Sequence, residues 1–203
     1  MAELTALDHQ IIDAASRHFL EEGIHNTDMK KLAQELGISR STLYRHFTNS
    51  VQIAFYVVMD YLKLLVNDDP ALYREMCGYQ ALCLYLHRLI DRLCKNLPMM
   101  RVIREFDTLY SVEQNVFIPP EEYSQYLQAD QDMPCVKLFQ KGVADGSILP
   151  QKDNTVAGLA LVFTSLGLVE RIMLREKTYI QEHGAAREIV DAAIEMELRA
   201  IKN

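Results

Sequence analysis

The chain has 203 residues, 49% of them apolar and 24% charged, with a formal net charge of −7. That length buries a substantial core in one or two domains, and the composition excludes a disordered chain. No uninterrupted apolar run approaches the roughly 18 residues of a membrane span. The first residues, Met1–Asp13, carry acids and no basic stretch, so no secretory leader is expected. Four cysteines without a CxxC pair read as reduced packing residues, and a cytoplasmic location follows as the expectation. An acidic balance disfavours general affinity for nucleic acid, so any such contact has to come from a local basic surface.

Helical periodicity runs along nearly the whole chain. Leu7, Ile11, Ile12, Ala15 and Phe19 share one helix face, and Gly23 is the expected stop. Thr27 is expected to cap a second helix, with Asp28 in its first turn and Met29, Leu32, Ala33 and Leu36 as its apolar stripe. Gly37 ends it, and Ser39 caps a short third helix through Phe47. A longer helix is expected from about Asn49 to Val66, broken by Asn67-Asp68-Asp69-Pro70. Another runs from about Gly78 to Lys95, and Pro98 opens one to about Tyr110. Residues 111–118 read as a loop, and Pro119-Pro120 starts a helical stretch interrupted near Pro134 and stopped at Asp145-Gly146. Asp153 caps a long helix to about Tyr179, and the last helix follows Gly184 and ends near Ile201. No repeat, low-complexity tract or alternating strand pattern interrupts this layout, so the fold class is all-α, with about nine helices.

The informative stretch is Thr27–Phe47, T-D-M-K-K-L-A-Q-E-L-G-I-S-R-S-T-L-Y-R-H-F. It reads as two short helices joined by a tight turn, in which Gly37 supplies the left-handed conformation and Ala33 permits close crossing. Leu32, Leu36, Ile38, Leu43 and Phe47 form the shared core, leaving Arg40, Ser41, Thr42, Tyr44, Arg45 and His46 outside. That second-helix surface is rich in donors and free of carboxylates, as a major groove and its phosphates require. Thr27–Ser50 holds Lys30, Lys31, Arg40 and Arg45 against Asp28 and Glu35, so this part is locally basic within an acidic chain.

Thr27–Ile53, above all G-I-S-R-S-T-L-Y-R-H-F at Gly37–Phe47, resembles the DNA-binding domain of the TetR (tetracycline repressor) family. The resemblance implies an N-terminal three-helix, helix-turn-helix DNA-binding domain at residues 1–48. It implies a helical effector-binding and dimerisation domain at 49–203. Arg40 and Ser41 would meet base edges. Thr42, Tyr44 and His46 would meet phosphates, Thr27 would anchor another, and Lys30 and Arg45 would add cations. The family often has Gly in place of Ser41, and usually Lys, a phosphate contact, in place of Ser50 at the start of the fourth helix. The implied function is a repressor that binds a pseudo-palindromic operator in double-stranded DNA as a homodimer and is released by a small, mainly apolar effector.

Aromatic, Met, Cys and His side chains of the middle helices are candidate pocket residues: Tyr56, Met59, Cys83, Tyr85, His87, Met100, Phe106, Tyr110, Phe139 and Phe163. For each alone, plain core packing is the competing reading. Tyr85 and His87 are the expected polar anchors. Cys83 and His87 stand one turn apart and could hold a soft metal, but Cys94 lies about 16 Å from Cys83 along the axis at ~1.5 Å per residue, so one ion cannot bridge all three. Neither metal nor cofactor is expected. The last helix carries two apolar stripes, Ile189-Ala193-Met196-Ala200 and Val190-Ile194-Ile201, which suggests one inward face and one partner face. Leu161, Ser165, Ile189, Ala193 and Met196 are the candidate dimer contacts. Phosphate-binding glycine loops, HExxH and G-x-S-x-G are absent, which argues against an enzyme and leaves a helical dimeric interaction module with a weakened DNA-binding domain as the alternative.

Overall fold

The computed structural model describes residues 4–112 and 133–203. The expected helical start at Pro119 lies outside them, as does the expected loop at 111–118 apart from its first two residues, which still belong to a helix. The described residues are helical: α1 (Ala6–Glu22), α2 (Met29–Glu35), α3 (Arg40–His46), α4 (Ser50–Val66), a 3₁₀ turn (Pro70–Tyr73), α5 (Gly78–Lys95) and α6 (Leu97–Val112). After the gap come α7 (Pro134–Ala144), α8 (Asn154–Ile172), a 3₁₀ turn (Met173–Arg175), α9 (Glu176–His183) and α10 (Arg187–Ile201). Two expectations change. Asp28, not Thr27, caps α2: its carboxylate accepts from Lys30 N, while the Thr27 hydroxyl turns back to donate to Gly23 O. The long helix expected to reach Tyr179 is interrupted by the 3₁₀ turn after Ile172.

The chain forms two compact units, Met1–Lys63 with Pro98–Tyr126, and Leu64–Leu97 with Leu127–Asn203. In the first unit, α1 opens with a capping box in which the Thr5 hydroxyl accepts from Asp8 N and the Asp8 carboxylate accepts from Thr5 N. Ile11, Ala15 and Phe19 of α1 and Leu32, Ala33 and Leu43 of the helix-turn-helix are all buried in this unit. Gly37 adopts φ +66°, the left-handed value the α2–α3 turn demands. Ile53, Ala54, Val57 and Val58 of α4 and Met99, Met100, Val102 and Phe106 of α6 complete this core.

The second unit is built on α5, whose Leu82, Leu86, Leu89 and Leu93 are fully buried. A Cβ on Gly78 would stand 2.0 Å from Gly142 N, so the start of α5 can cross α7 only with no side chain there. Asp68 accepts from Arg88 and Arg92 and from the Tyr73 hydroxyl, fixing the α4–α5 connection to α5. The stretch Asn154–His183 is long and apolar enough by length and composition to cross a membrane. One side of it, with Gly158, Leu161, Val162, Ser165 and Val169, lies in the core of the unit. On α10, Val190, Ile194 and Leu198 are buried, and the chain end is held by Leu149 N donating to Ile201 O at 2.8 Å.

Candidate nucleic-acid interface

Ser39 starts α3: its hydroxyl accepts from Thr42 N at 3.0 Å and lies 2.8 Å from both Ser41 Oγ and Thr42 Oγ1. This hydroxyl cluster fixes the first turn of the helix. Leu43 and Phe47 are the inward anchors, and Arg40, Ser41, Tyr44 and Arg45 are exposed, Tyr44 by 52%. Lys30 and Lys31 are exposed on α2. The structure therefore brings Arg40, Ser41, Tyr44 and Arg45 onto one open helix of seven residues.

Two of the expected contacts are occupied within the chain. His46 Nδ1 hydrogen-bonds the Asp8 carboxylate at 2.7 Å, which ties the end of α3 to the start of α1. Thr27 is buried, with its hydroxyl donating to Gly23 O at 2.7 Å. Ser50 is the first residue of α4, whose start is capped by Asn49 Oδ1 accepting from Gln52 N at 2.9 Å.

The nearby carboxylates are engaged. Burial pushes the Asp8 carboxyl up, but hydrogen bonds from Thr5 and His46 outweigh it and hold it below its ordinary value. Glu35 is held low by His18 and Arg17 of α1, at 2.8 and 2.6 Å. His18 in turn is raised, chiefly by the Glu35 hydrogen bond and against a desolvation that lowers it.

Sequence reasoning missed a second feature of this unit. Glu105 of α6 accepts from Ile24 N at 3.0 Å and from His25 N at 2.8 Å, so both carboxylate oxygens clasp the turn that follows α1. Gly23, at φ +84°, lies so close that a Cβ there would stand 2.8 Å from Glu105 Oε2. Aromatic rings join the same elements. Phe47 meets Tyr56, Tyr56 meets Phe55, Phe55 meets Phe106, and Phe106 stacks on Tyr110 at 5.3 Å. Nothing in the local sequence marks a carboxylate 80 residues away as the partner of a turn.

The candidate pocket residues divide between the units. Tyr56, Phe106 and Tyr110 belong to the aromatic chain just described, with Met100 buried and Met59 half-buried in the same unit. In the other unit Tyr85 is fully buried, its hydroxyl donating to Val66 O at 2.7 Å, and Phe139 is fully buried as well. His87 Nδ1 meets Cys83 O, and its Nε2 lies 3.1 Å from Glu195 of α10. Phe163 is 56% exposed. It stands with Val156, Ala160 and Gly167 on an open stripe of α8, while Met196 (70% exposed) and Ala200 are open on α10 and Ile189 and Ala193 are half-buried. Leu161 and Ser165, expected on a partner face, lie on the buried side of α8, where Ser165 donates to Leu161 O.

Comparison with known proteins bears on this geometry. The family described as bacterial regulatory proteins, tetR family, matches residues 11–55, which run from α1 into α4. A helix-turn-helix-type transcriptional regulator of Staphylococcus aureus (strain bovine RF122 / ET3-1) is 26% identical over 127 residues, 61% of this chain and 69% of that protein. A second, from strain USA300, is 27% identical over 109 residues, 53% of this chain and 59% of that protein. Over residues 11–55 the chain is thus similar to the N-terminal domain of the tetR family of bacterial regulatory proteins. Solved TetR-fold chains extend the likeness in fold to nearly the whole length. A tetR-family regulatory protein from Rhodococcus RHA1 has a TM-score of 0.62 at 17% identity, covering 98% of both chains. The fatty acid degradation regulator FadR from Bacillus halodurans has a TM-score of 0.64 at 16% identity, covering 97% of this chain and 96% of that one. The likeness is thus to the helix-turn-helix domain of tetR-family regulators at the N-terminus and to the TetR fold over nearly the whole length.

Proposed function

We propose that the protein is a repressor that binds a pseudo-palindromic operator as a homodimer and leaves it when a small molecule binds outside the helix-turn-helix. The division of labour proposed is DNA contact in residues 1–48 and effector binding with dimerisation in 49–203. The observation that carries the reading is the open surface of α3, with Arg40, Ser41, Tyr44 and Arg45 exposed and no carboxylate on the helix. Such a helix, offering Arg and hydroxyl donors from its first turn, suits base edges in the major groove. One three-helix reader covers only a half-site, so a dimer is needed, and the exposed apolar stripe of α8 beside Met196 of α10 supports it.

The test is a gel shift on the DNA upstream of the protein's own coding region, with wild type and Arg40→Ala. The variant is expected to lose roughly 1–3 kcal/mol of operator affinity and to relax preference at one base pair per half-site. Wild-type protein that binds operator and scrambled DNA alike refutes sequence-specific repression and returns the reading to an interaction module.

A further inference from the structure

Within the second unit α10 packs against α8 and α5, and Glu197 of α10 lies beside Thr164 of α8 in the seam between those two helices. Helical spacing sets Glu197 between Ala193 and Ala200, and Thr164 between Ala160 and Gly167, at i−4 and i+3 in both helices. All four neighbours are small. Met196, next to Glu197, and Phe163, next to Thr164, are exposed. The acid therefore sits low between small side chains, in the middle of the open apolar stripes of α8 and α10.

These surroundings disfavour an ionised carboxylate. Glu197 is half-buried, and its Oε2 is enclosed with no hydrogen-bond partner among the described residues. Burial pushes the carboxyl up from its ordinary value, and the Thr164 hydroxyl, which favours the ionised form, offsets only part of that. Among the described residues no charge adds to the balance. On α10 the positions three and four away, Ala193, Ile194, Ala200 and Ile201, are uncharged. On α8 the charged residues are Glu170 and Arg171, nearly two turns beyond Thr164. On α5, His87 and Asp91 pair with Glu195 and Arg187, and Cys83 and Cys94 lie near the same two residues.

We infer that a second copy of the chain covers this seam in the dimer proposed above, and that each Glu197 takes up a proton for it to do so, so that falling pH tightens the dimer and rising pH loosens it. The linkage rests on the dimer reading. The small residues on both sides of Glu197 and Thr164 let a partner helix approach closely, since the distance between helix axes follows the side chains at the contact. A partner over the seam removes the water that still reaches the acid, so the dimer keeps the proton to a higher pH than the monomer does. Dimerisation then takes up as much as one proton per copy between those two values; it is tightest below both and weakest above both. The neutral acid also has an O–H to donate, whereas the carboxylate would be an isolated charge under the partner. Because one helix-turn-helix covers only a half-site, operator binding at limiting protein concentration inherits the same dependence.

The experiment is sedimentation equilibrium of the full chain without DNA, at constant ionic strength, from about pH 5 to about pH 8, a range that spans the raised carboxyl. It compares wild type with Glu197→Gln and Glu197→Met, each checked for helical content by circular dichroism. The wild-type dissociation constant is expected to rise at least about tenfold across the range, the change that one linked proton produces over one pH unit. Both variants, which stand in for the neutral acid, are expected to dimerise about as tightly as wild type does at the acid end and to stay flat with pH. Glu197→Met guards against the case in which the buried amide of Glu197→Gln itself weakens the contact. A wild-type constant that stays flat or falls as the pH rises, or a pH dependence that both variants retain, overturns the linkage while the dimer reading stands. Wild type that is monomeric at micromolar concentration at every pH overturns the dimer reading and the linkage with it.

Discussion

Removing the Glu105 carboxylate should uncouple α6 from the turn after α1. Glu105→Ala deletes two hydrogen bonds from an ionised acceptor, to Ile24 N at 3.0 Å and His25 N at 2.8 Å. Bonds to charged groups contribute about 1.5–3 kcal/mol each when shielded from water. His25 is exposed, so water replaces much of its bond; Ile24 is fully buried, so its amide is left poorly satisfied. The expected loss is therefore about 2–3 kcal/mol, less than two full bonds. Gly23 allows a sharper check, because a Cβ there would press on Glu105 Oε2 at 2.8 Å and would also have to accept φ +84°. Gly23→Ala should cost about 1–3 kcal/mol for the backbone alone, with the clash in addition. In a Glu105→Ala background the clash disappears and the backbone part remains, so the two changes should combine to less than their sum. Urea denaturation supplies the energies, and amide hydrogen exchange at Ile24 and His25 localises the effect. An Ile24 amide that stays protected in Glu105→Ala, with unchanged denaturation, would refute the clasp. Strict additivity in the cycle would refute the proposed contact at Gly23.

Three further outcomes follow from other parts of the structure. Ser50 opens α4, at the position where the resemblance to the TetR family implies a phosphate-binding Lys. Ser50→Lys should therefore tighten binding to operator and scrambled DNA alike and steepen the log affinity–log salt slope by roughly 2 units per dimer, at about 0.9 per phosphate; an unchanged slope would mean residue 50 does not face the backbone. His18 joins α1 to α2 through Glu35, and its pKa is raised above 6.5 on folding. Its stabilisation is thus complete below 6.5 and is lost as the pH rises through the folded value. Relative to His18→Gln, wild type should lose stability between neutral and alkaline pH in denaturation titrations, and a difference that stays flat across that range counts against the clamp. Met196 is 70% exposed on the apolar stripe of α10, so Met196→Arg should leave the monomer folded and abolish the dimer in sedimentation at micromolar concentration. A variant that still sediments as a dimer places the interface elsewhere.

Short-range rules made much of this fold legible. Gly37 ends the α2 segment at the left-handed φ a helix stop requires, and α5 spans Gly78–Lys95 as its leucine period indicates. The outward stripe of α10, with Met196 and Ala200 open and Val190 and Ile194 buried, also follows from the period. The failures occur where two local solutions compete or where the partner is distant. Thr27 and Asp28 can both cap a helix; the carboxylate reaches Lys30 N, and the hydroxyl finds Gly23 O instead. The interruption at Met173–Arg175 carries no Gly or Pro, so no breaker announces it. On α8, Leu161 and Ser165 fit a small-residue packing stripe, but whether that stripe meets its own core or a partner depends on where α7 lies. Val136 of α7 takes the space, its Cα within 2.9 Å of a Cβ placed on Gly158.

The distant partners also bear on how an acidic chain presents a DNA-binding surface. The net charge of −7 counts every carboxylate equally, whereas a phosphate responds to the charges it can reach. Around the helix-turn-helix the acids have internal tasks. Asp8 closes the α1 capping box and takes His46, Asp28 caps α2, and Glu35 takes Arg17 and His18. Each of these bonds holds a negative charge against its own helices, and Arg40 and Arg45 stay exposed on a helix that has none. The same arrangement has a consequence for affinity. His46 is drawn toward Asp8, and Ser50 adds no charge at α4, so among the described residues the proposed DNA-binding face offers few cations and a small phosphate contribution is expected. On the proposed function, binding then depends more on the base contacts proposed for Arg40 and Ser41 than on phosphate contacts, so discrimination between operator and other DNA should be high relative to total affinity.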